Sequence, residues 1–512
     1  MRRLPSAGRA DDAALVLLLI LATAGLRILF GLALGLGMDE SYMVAAGREL
    51  RLGYFDHPPA AWWLAWGASW LAGSDAAVIV RLPFIALFGL STWLTYRLTA
   101  TLYTPRAGLW AAVTLNLAPV FGVTTGGWVL PDGPLDAALL GAALCLVHAV
   151  RGSGRSARLW WLGSGLCVGL ALFAKYSAAL TLMGACVYLA TQQEHRRWLA
   201  RPEPYLAGAV ATLIFLPVLI WNAAHGWASF AFQAGRAEGA EFAPAMPLVT
   251  LGGEALFLLP WIWLPLMVVF VQAIGRGPRE WRGWLLPCLA APPILVFTLV
   301  SAWSSHRVLY HWAAPGYLML FPLLGVLVAR DLERGWRVTR VWLAGTAILV
   351  LAGTAVTAAQ VGYGWLPGFS SYFAAGKDPS LEAVDWTDLR EALVARGLTG
   401  RPDLVVAGVD WHDTGKIDYA LGGGMTVICL NTDDRQFGLD RPAVTALGKD
   451  VLIIVRAEDT ERAAVKYAPI FSRIETLPPV TIEHGGGAGL KLSLLLGHTL
   501  LSWPPPDQPG VS

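Results

Sequence analysis

Charged side chains are scarce in this sequence: only 14% of its 512 residues are Asp, Glu, Lys or Arg, where a soluble domain carries roughly a quarter. That deficit excludes an ordinary soluble globule, and it is not spread evenly. Apolar runs of about twenty residues, the length of helix that crosses a hydrocarbon core roughly 30 Å thick, recur from Ala13 to Val361 and then cease. Cysteine is sparse too. Cys145, Cys167, Cys186 and Cys288 sit in apolar runs and Cys429 stands alone in the tail, a distribution that implies no disulfide framework. No Gly-rich phosphate loop or dinucleotide fingerprint occurs, which disfavours a nucleotide-sugar donor. Nothing in the net charge of +2 suggests a nucleic-acid partner.

What is present is a polytopic helical pattern followed by a soluble tail. Eleven spans fit near 13–36, 78–97, 107–125, 134–150, 159–174, 176–191, 205–222, 248–272, 284–302, 312–329 and 341–361. The first run follows Arg2, Arg3 and Arg9 like a secretory signal, but it is too long for one and reads as an uncleaved span. Arg and Lys gather in alternate connections, from Arg97 and Arg106 through Arg151, Arg155 and Arg158 to Arg330, Arg334 and Arg337. The opposite set holds Arg48, Arg51, Lys175, Arg236 and Arg307. The positive-inside rule then puts the N-terminus in the cytoplasm and the tail outside.

Residues 1–361 are expected to form a transmembrane domain whose outer loop, 37–77, includes a Trp-rich interfacial helix at Pro58–Gly73. Residues 362–503 read as a small α/β domain, because Leu404–Val409, Met425–Leu430 and Val451–Val455 are short buried-strand runs. Polar segments with helical potential, such as Trp386–Arg396 and Thr460–Tyr467, separate these runs, and the proline-rich 504–512 is expected to be disordered.

The chemistry-bearing groups collect in the outside connections. Asp39 and Glu40 follow the first span and are either hydrated juxtamembrane charges or a general base for a hydroxyl. Tyr54-Phe55-Asp56-His57-Pro58-Pro59 is a turn stiffened by two prolines that would aim His57. Arg81, at the outer start of the second span, either snorkels or binds a phosphate through paired N–H groups. Asp132 occupies a short outer turn, Lys175 stands as a lone cation between two spans, and Ser304-Ser305-His306-Arg307 leads to Tyr310 and His311. Arg27 interrupts the first span, and charges this close to a bilayer are functional hypotheses. Asp39, Glu40, Asp132 and His57 could ligate a divalent metal, although their spacing follows no ligand pattern.

In order, the Asp39-Glu40 pair, the Asp56-His57-Pro58-Pro59 turn, Arg81-Leu82-Pro83 and Pro131-Asp132 resemble the membrane-embedded GT-C glycosyltransferases. The likeness is to the protein O-mannosyltransferase and lipid A aminoarabinose transferase group, and more closely to the rhizobial lipopolysaccharide galacturonosyltransferase branch. It covers the spans and is densest from Met38 to Asp136. The resemblance implies a GT-C fold, catalytic residues Asp39, Glu40 and Asp132, and donor-phosphate cations Arg81, Lys175 and Arg307. Tyr54, Asp56, His57 and His306 would contact substrate. It also implies a polyprenyl-phosphate-linked sugar as donor, a lipid or envelope-glycan acceptor, and a bacterial inner-membrane location with a periplasmic tail. The strings Asp410–Tyr419 and Leu430–Phe437 resemble segments of such tails without implying a chemistry. A lipid flippase or transporter is the rival reading, disfavoured because polar groups gather at one face instead of mid-depth.

Overall fold

The computed structural model describes residues 7–235, 242–304, 308–366, 368–373, 378–485 and 489–504. The chain forms two compact units. The first comprises Met1–Ile28, Arg51–Ala61 and Arg81–Ala352; the second comprises Leu29–Leu50, Trp62–Val80 and Gly353–Ser512. The expected boundary at 361/362 therefore differs from the division by compactness, because parts of the first outer loop fold with the tail.

The helices run α1 (Ala7–Ala33), α2 (Met38–Ala46), α3 (Ala60–Ala72), α4 (Ala77–Leu102), α5 (Pro105–Leu117), α6 (Asp132–Arg151), α7 (Gly154–Ala174), α8 (Ala178–Thr191) and α9 (Pro202–Ala224). They continue as α10 (Ala228–Gly235), α11 (Met246–Leu258), α12 (Pro260–Arg276), α13 (Trp281–Val300), α14 (Ala314–Leu318), α15 (Phe321–Glu333) and α16 (Arg337–Tyr363). Every one of the eleven apolar runs is helical. Among the described residues, however, eight helices are long and apolar enough to cross a membrane, or nine if the pair around α14 and α15, bent by 61°, is one span.

Proline interrupts two of the runs. The run at 248–272 breaks at Leu259, whose φ of 71° precedes Pro260, since the proline ring disfavours helical backbone in the residue before it. The run at 107–125 ends α5 before Pro119 and resumes as a π-helix over Val120–Thr125. Helix α8 has 14 residues and the Trp-rich α3 has 13, both too short to span.

Close packing in the first unit depends on small residues. Helix α7 presents Gly165 and Gly169, one turn apart, to Ala207 and Ala211 of α9, and a Cβ at Gly165 would fall onto the Ala207 carbonyl oxygen. Small residues four apart let helix backbones approach closely where lipid offers no hydrophobic drive.

In the second unit, five strands form one sheet in the order β2-β1-β3-β5-β4. The strands are β1 (Leu404–Gly408), β2 (Val427–Cys429), β3 (Asp450–Arg456), β4 (Phe471–Ile482) and β5 (Leu490–Leu500). β1 pairs parallel with both β2 and β3, while β5 pairs antiparallel with β3 and with β4. The tail helices are α17 (Thr387–Ala395), α18 (Trp411–Leu421), α19 (Arg435–Asp440) and α20 (Thr460–Tyr467). Three strands and two helices lie where the sequence pattern put them. The β4–β5 hairpin went unread, because Pro478-Pro479 shifts the register between Leu477 and Val480 and interrupts the alternation.

Gly165→Leu should destabilise the first unit by about 3 kcal/mol, since the added side chain has only backbone to displace. Thermal unfolding in detergent checks this, with exposed Gly208→Leu on α9, where nothing lies within 4 Å, as the near-neutral control.

Candidate functional site

The first unit's polar centre starts from the π-helix. Single-turn π segments are rare and concentrate at functional sites, because their wider winding redirects side chains and carbonyls. Here Arg27 donates from Nε and Nη2 to the Gly122 carbonyl oxygen, at 3.0 and 2.7 Å, with its guanidinium 4.3 Å from the Phe88 ring centroid. Arg27 thus serves the backbone of the π turn and is no free cation for a ligand. The turn delivers Thr125, whose hydroxyl donates to Asp136 Oδ2 at 3.2 Å, and leads into α6 at Asp132.

Asp132 and Asp136 are four residues apart on α6, so both carboxyls lie on one helix face. Lys175, the residue that ends α7, donates from Nζ to Asp132 Oδ1 at 2.9 Å and to Oδ2 at 3.1 Å, and both side chains are buried. The expectation of a lone cation at Lys175 is corrected: it forms a buried ion pair with Asp132. Asp136 Oδ1 has no hydrogen-bond partner among the described residues. His57 and His311 stand within electrostatic reach of Asp132.

A cavity of about 290 Å³ opens beside the pair. Its polar lining is His57, Lys175, Tyr176, Ser177, Gln233 and Ser304, and its apolar wall is Val296, Phe297, Val300, Val308 and Trp312. An ammonium has three donors, and Lys175 spends two directions on Asp132, leaving the third for a guest. A cation beside an apolar wall suits an anion carrying a hydrocarbon chain. Another cavity of about 290 Å³, among α6, α7, α8 and α9, has Leu146, Leu182 and Phe215 in its lining and no charged side chain. It offers no chemistry.

The remaining candidates of the first unit take distinct places. Arg81 is 3% exposed and engaged in interactions inside the protein, so it does not snorkel into lipid. Tyr54 is buried and its hydroxyl accepts from the Arg51 amide at 3.3 Å, which pins the turn. Asp56 is buried, and its carbonyl accepts from Gln233 Nε2 of α10. Phe55 packs on Phe232 with centroids 4.9 Å apart, while Tyr176 and Ser229 share a hydrogen bond at 2.7 Å. Helix α10 is thereby tied to the turn that carries His57. His306, Arg307 and Arg236 lie outside the described residues.

In the second unit, α2 packs on α18 so closely that a Cβ at Gly415 would lie 2.7 Å from the Tyr42 Cα. Lys416 donates from Nζ to the carbonyls of Leu36 and Val384, and Arg48 donates to Asp418 Oδ1 at 3.0 Å. The Tyr42 ring contacts Trp62, Trp411 and Phe437, and its hydroxyl accepts from the Gln436 amide at 3.2 Å. The Asp410–Tyr419 and Leu430–Phe437 strings therefore hold the segment from Leu36 to Arg48. Glu40 is buried and its Oε2 accepts from the Gly37 amide at 2.8 Å, so it caps α2. Asp39 is the exposed carboxylate of the pair. Among the described residues, no three His, Cys, Asp or Glu side chains converge as metal ligands.

Residues 56–221 match the model of the dolichyl-phosphate-mannose-protein mannosyltransferase family. The architecture superimposes on ArnT from Cupriavidus metallidurans in the apo state with a TM-score of 0.63 at 14% identity, covering 95% of this chain and 98% of that one. ArnT bound to undecaprenyl phosphate gives the same TM-score, 0.63, at 15% identity, with 95% and 99% covered. The fold is that of ArnT. Among curated proteins, the lipid A galacturonosyltransferase RgtD of Rhizobium johnstonii is 26% identical over 294 residues, 55% of this chain and 58% of that protein. The undecaprenyl phosphate-alpha-4-amino-4-deoxy-L-arabinose arabinosyl transferase 1 of Sodalis glossinidius is 30% identical over 274 residues, 49% and 46% of the two chains. The matches thus span about half the length of these curated relatives.

Within this fold, sequence reasoning overlooked Asp136 and Glu254. Glu254 is buried on α11, accepting from the Tyr317 hydroxyl at 2.6 Å, and Trp263 Nε1 donates to that hydroxyl at 3.0 Å. The only signal for Asp136 was its four-residue spacing from Asp132; Glu254 gave none.

Lys175→Met leaves Asp132 charged and buried without its partner and should cost about 3–5 kcal/mol. Adding Asp132→Asn should restore most of that stability. Denaturant melts of the single and double variants measure both.

Proposed function

We propose that this chain is an inverting glycosyltransferase that moves a sugar from a polyprenyl-phosphate donor to a lipid or envelope-glycan acceptor, with lipid A or lipopolysaccharide core as first choice. The observation that carries this reading is the buried Lys175–Asp132 pair beside a cavity with an apolar wall. It lies in the segment matching a family described by a polyprenyl-phosphate sugar donor. The curated relatives named as lipid A galacturonosyltransferase and arabinosyl transferase support the acceptor class. The arginine distribution supports a cytoplasmic N-terminus and an outside tail, and the bacterial relatives support an inner-membrane location.

In this reading Asp39 accepts the acceptor hydroxyl's proton as its oxygen attacks the anomeric carbon. The bond from that carbon to the phosphate oxygen breaks, and polyprenyl phosphate leaves with the electron pair. Lys175, oriented by Asp132, and Arg81 hold the charge that grows on the leaving phosphate. Fixed donors aimed at developing charge in a low-dielectric site are usually the largest catalytic contribution.

The test is transfer by purified protein in detergent from a panel of undecaprenyl-phosphate sugars to total envelope lipids, with products read by mass spectrometry. Asp39→Asn should lower turnover by about 10²- to 10⁴-fold, the usual worth of a general base, while leaving undecaprenyl phosphate binding near the wild-type value. Near-normal turnover in that variant would remove Asp39 as base. No product from any donor, with tight carrier-lipid binding, would favour lipid transport instead.

A further inference from the structure

The proposed base faces a histidine from the far end of the chain. His412 Nε2 lies 3.9 Å from Asp39 Oδ1, and its Nδ1 lies 3.8 Å from Asp410 Oδ1. Both side chains of the Asp39–His412 pair keep access to solvent, at 58% and 41% exposure. The imidazole is stacked on Trp411, with centroids 3.5 Å apart, and Trp411 is held in turn against Tyr42 of α2 and under the Arg435 guanidinium. The Asp410 side chain caps α18 by accepting from the Asp413 amide at 2.9 Å. Ring plane, ring neighbours and the approach of α2 are therefore all fixed before any substrate arrives.

The sheet topology gives this spot a second reason to matter. β1 has β2 on one side and β3 on the other, both parallel to it, which makes its carboxyl end a topological switch point. In open α/β sheets the crevice outside such strand ends is where ligands bind. Asp410, Trp411 and His412 follow β1 directly, and this end of the strand carries Asp39 in place of a separate ligand.

We propose that His412 is a positioning residue for Asp39: its imidazole orients the Asp39 carboxylate and keeps it ionised for proton abstraction. This inference rests on the glycosyltransferase reading above. The groups facing the imidazole are Asp39 from α2, Asp410 and Asp413 from α18, and Asp433 and Arg435 at the start of α19. Burial lowers the His412 pKa, while Asp39 and Asp413 raise it; Asp410 is pushed up to about 6 by burial and by Asp413. An imidazolium beside Asp39 favours its carboxylate form, so removing the ring raises the Asp39 pKa and carboxylate is lost at higher pH.

Two measurements test it on the full-length protein in detergent. In the first, diethyl pyrocarbonate, which acylates neutral imidazole, labels His412 across pH, with the modified peptide quantified by mass spectrometry. Asp39→Asn should move the midpoint of labelling down by about half to one pH unit, the effect of removing a partly screened opposite charge. An unmoved midpoint overturns the pairing. In the second, His412→Gln and His412→Asn are assayed with the undecaprenyl-phosphate sugar and envelope lipid that give product with wild type. Their kcat should fall about tenfold below the imidazole titration and less above it, moving the acid limb up by about one unit, with KM for donor unchanged. Wild-type kcat and an unmoved acid limb sink the inference, and so does a pH-independent loss that tracks a lowered Tm. Loss of turnover in Asp39→Asn alongside normal His412→Gln would leave the glycosyltransferase reading standing alone. Activity in Asp39→Asn would remove both.

Discussion

An ammonium group buried in protein stays charged only if a nearby carboxylate and further hydrogen bonds replace its water. Lys175 is such a group, and the polar architecture of the first unit is organised around supplying Asp132 to it. Asp132 has to start α6 at the right height, so the chain before it winds as a π-helix. That winding leaves Gly122 needing a donor, and Arg27 reaches across from α1 to provide one. Thr125, the last residue of the same turn, holds Asp136. Arg27, which interrupts the first span in the sequence, thus supports the turn that leads to the carboxylate paired with Lys175.

The second unit solves a different problem. A nine-residue helix such as α2 is too short to persist on its own, yet it bears the carboxylate proposed as base. Its stability comes from α18: Gly415 lets the backbones close up, Lys416 binds the carbonyl just before α2, and Arg48 just after it binds Asp418. Residues almost four hundred positions apart thus set the orientation of Asp39. The tail is part of how the loop is built.

That division explains what could and could not be read from the sequence. The apolar runs, the interfacial length of α3 and strands β1, β2 and β3 follow from hydropathy and period alone, which report local burial. Asp39, Asp132, Lys175 and Arg81 could be singled out because charge beside a membrane is conspicuous. Their partners could not: the Lys175–Asp132 pairing links two loops 43 residues apart, and nothing in either loop points to the other. Glu40 and Asp39 are adjacent and chemically alike, and only the start of α2 separates the capping carboxylate from the exposed one. Glu254 stayed hidden because one acidic residue scarcely dents a hydrophobic average. The break at Leu259 could have been read from Pro260, but the bend between α14 and α15 depends on packing.

The composition of the cavity beside Lys175 also constrains where selectivity can reside. In water, an apolar wall would draw a polyprenyl chain strongly, by roughly 0.8 kcal/mol for each CH₂ buried. Inside a bilayer the chain leaves surroundings as apolar as the Val296, Phe297 and Val300 wall it meets, so little free energy separates bound from free chain. The wall can guide a chain but cannot choose among lipids. Choice must then fall on the groups that lipid cannot imitate: Lys175 with its remaining donor, His57, Tyr176, Ser177 and Gln233. Because Lys175 is already neutralised by Asp132, the pair presents directed hydrogen bonds and not a net positive field. In the proposed glycosyltransferase reading, a phosphate is recognised by where its oxygens lie, a criterion that also fixes the anomeric carbon attached to it.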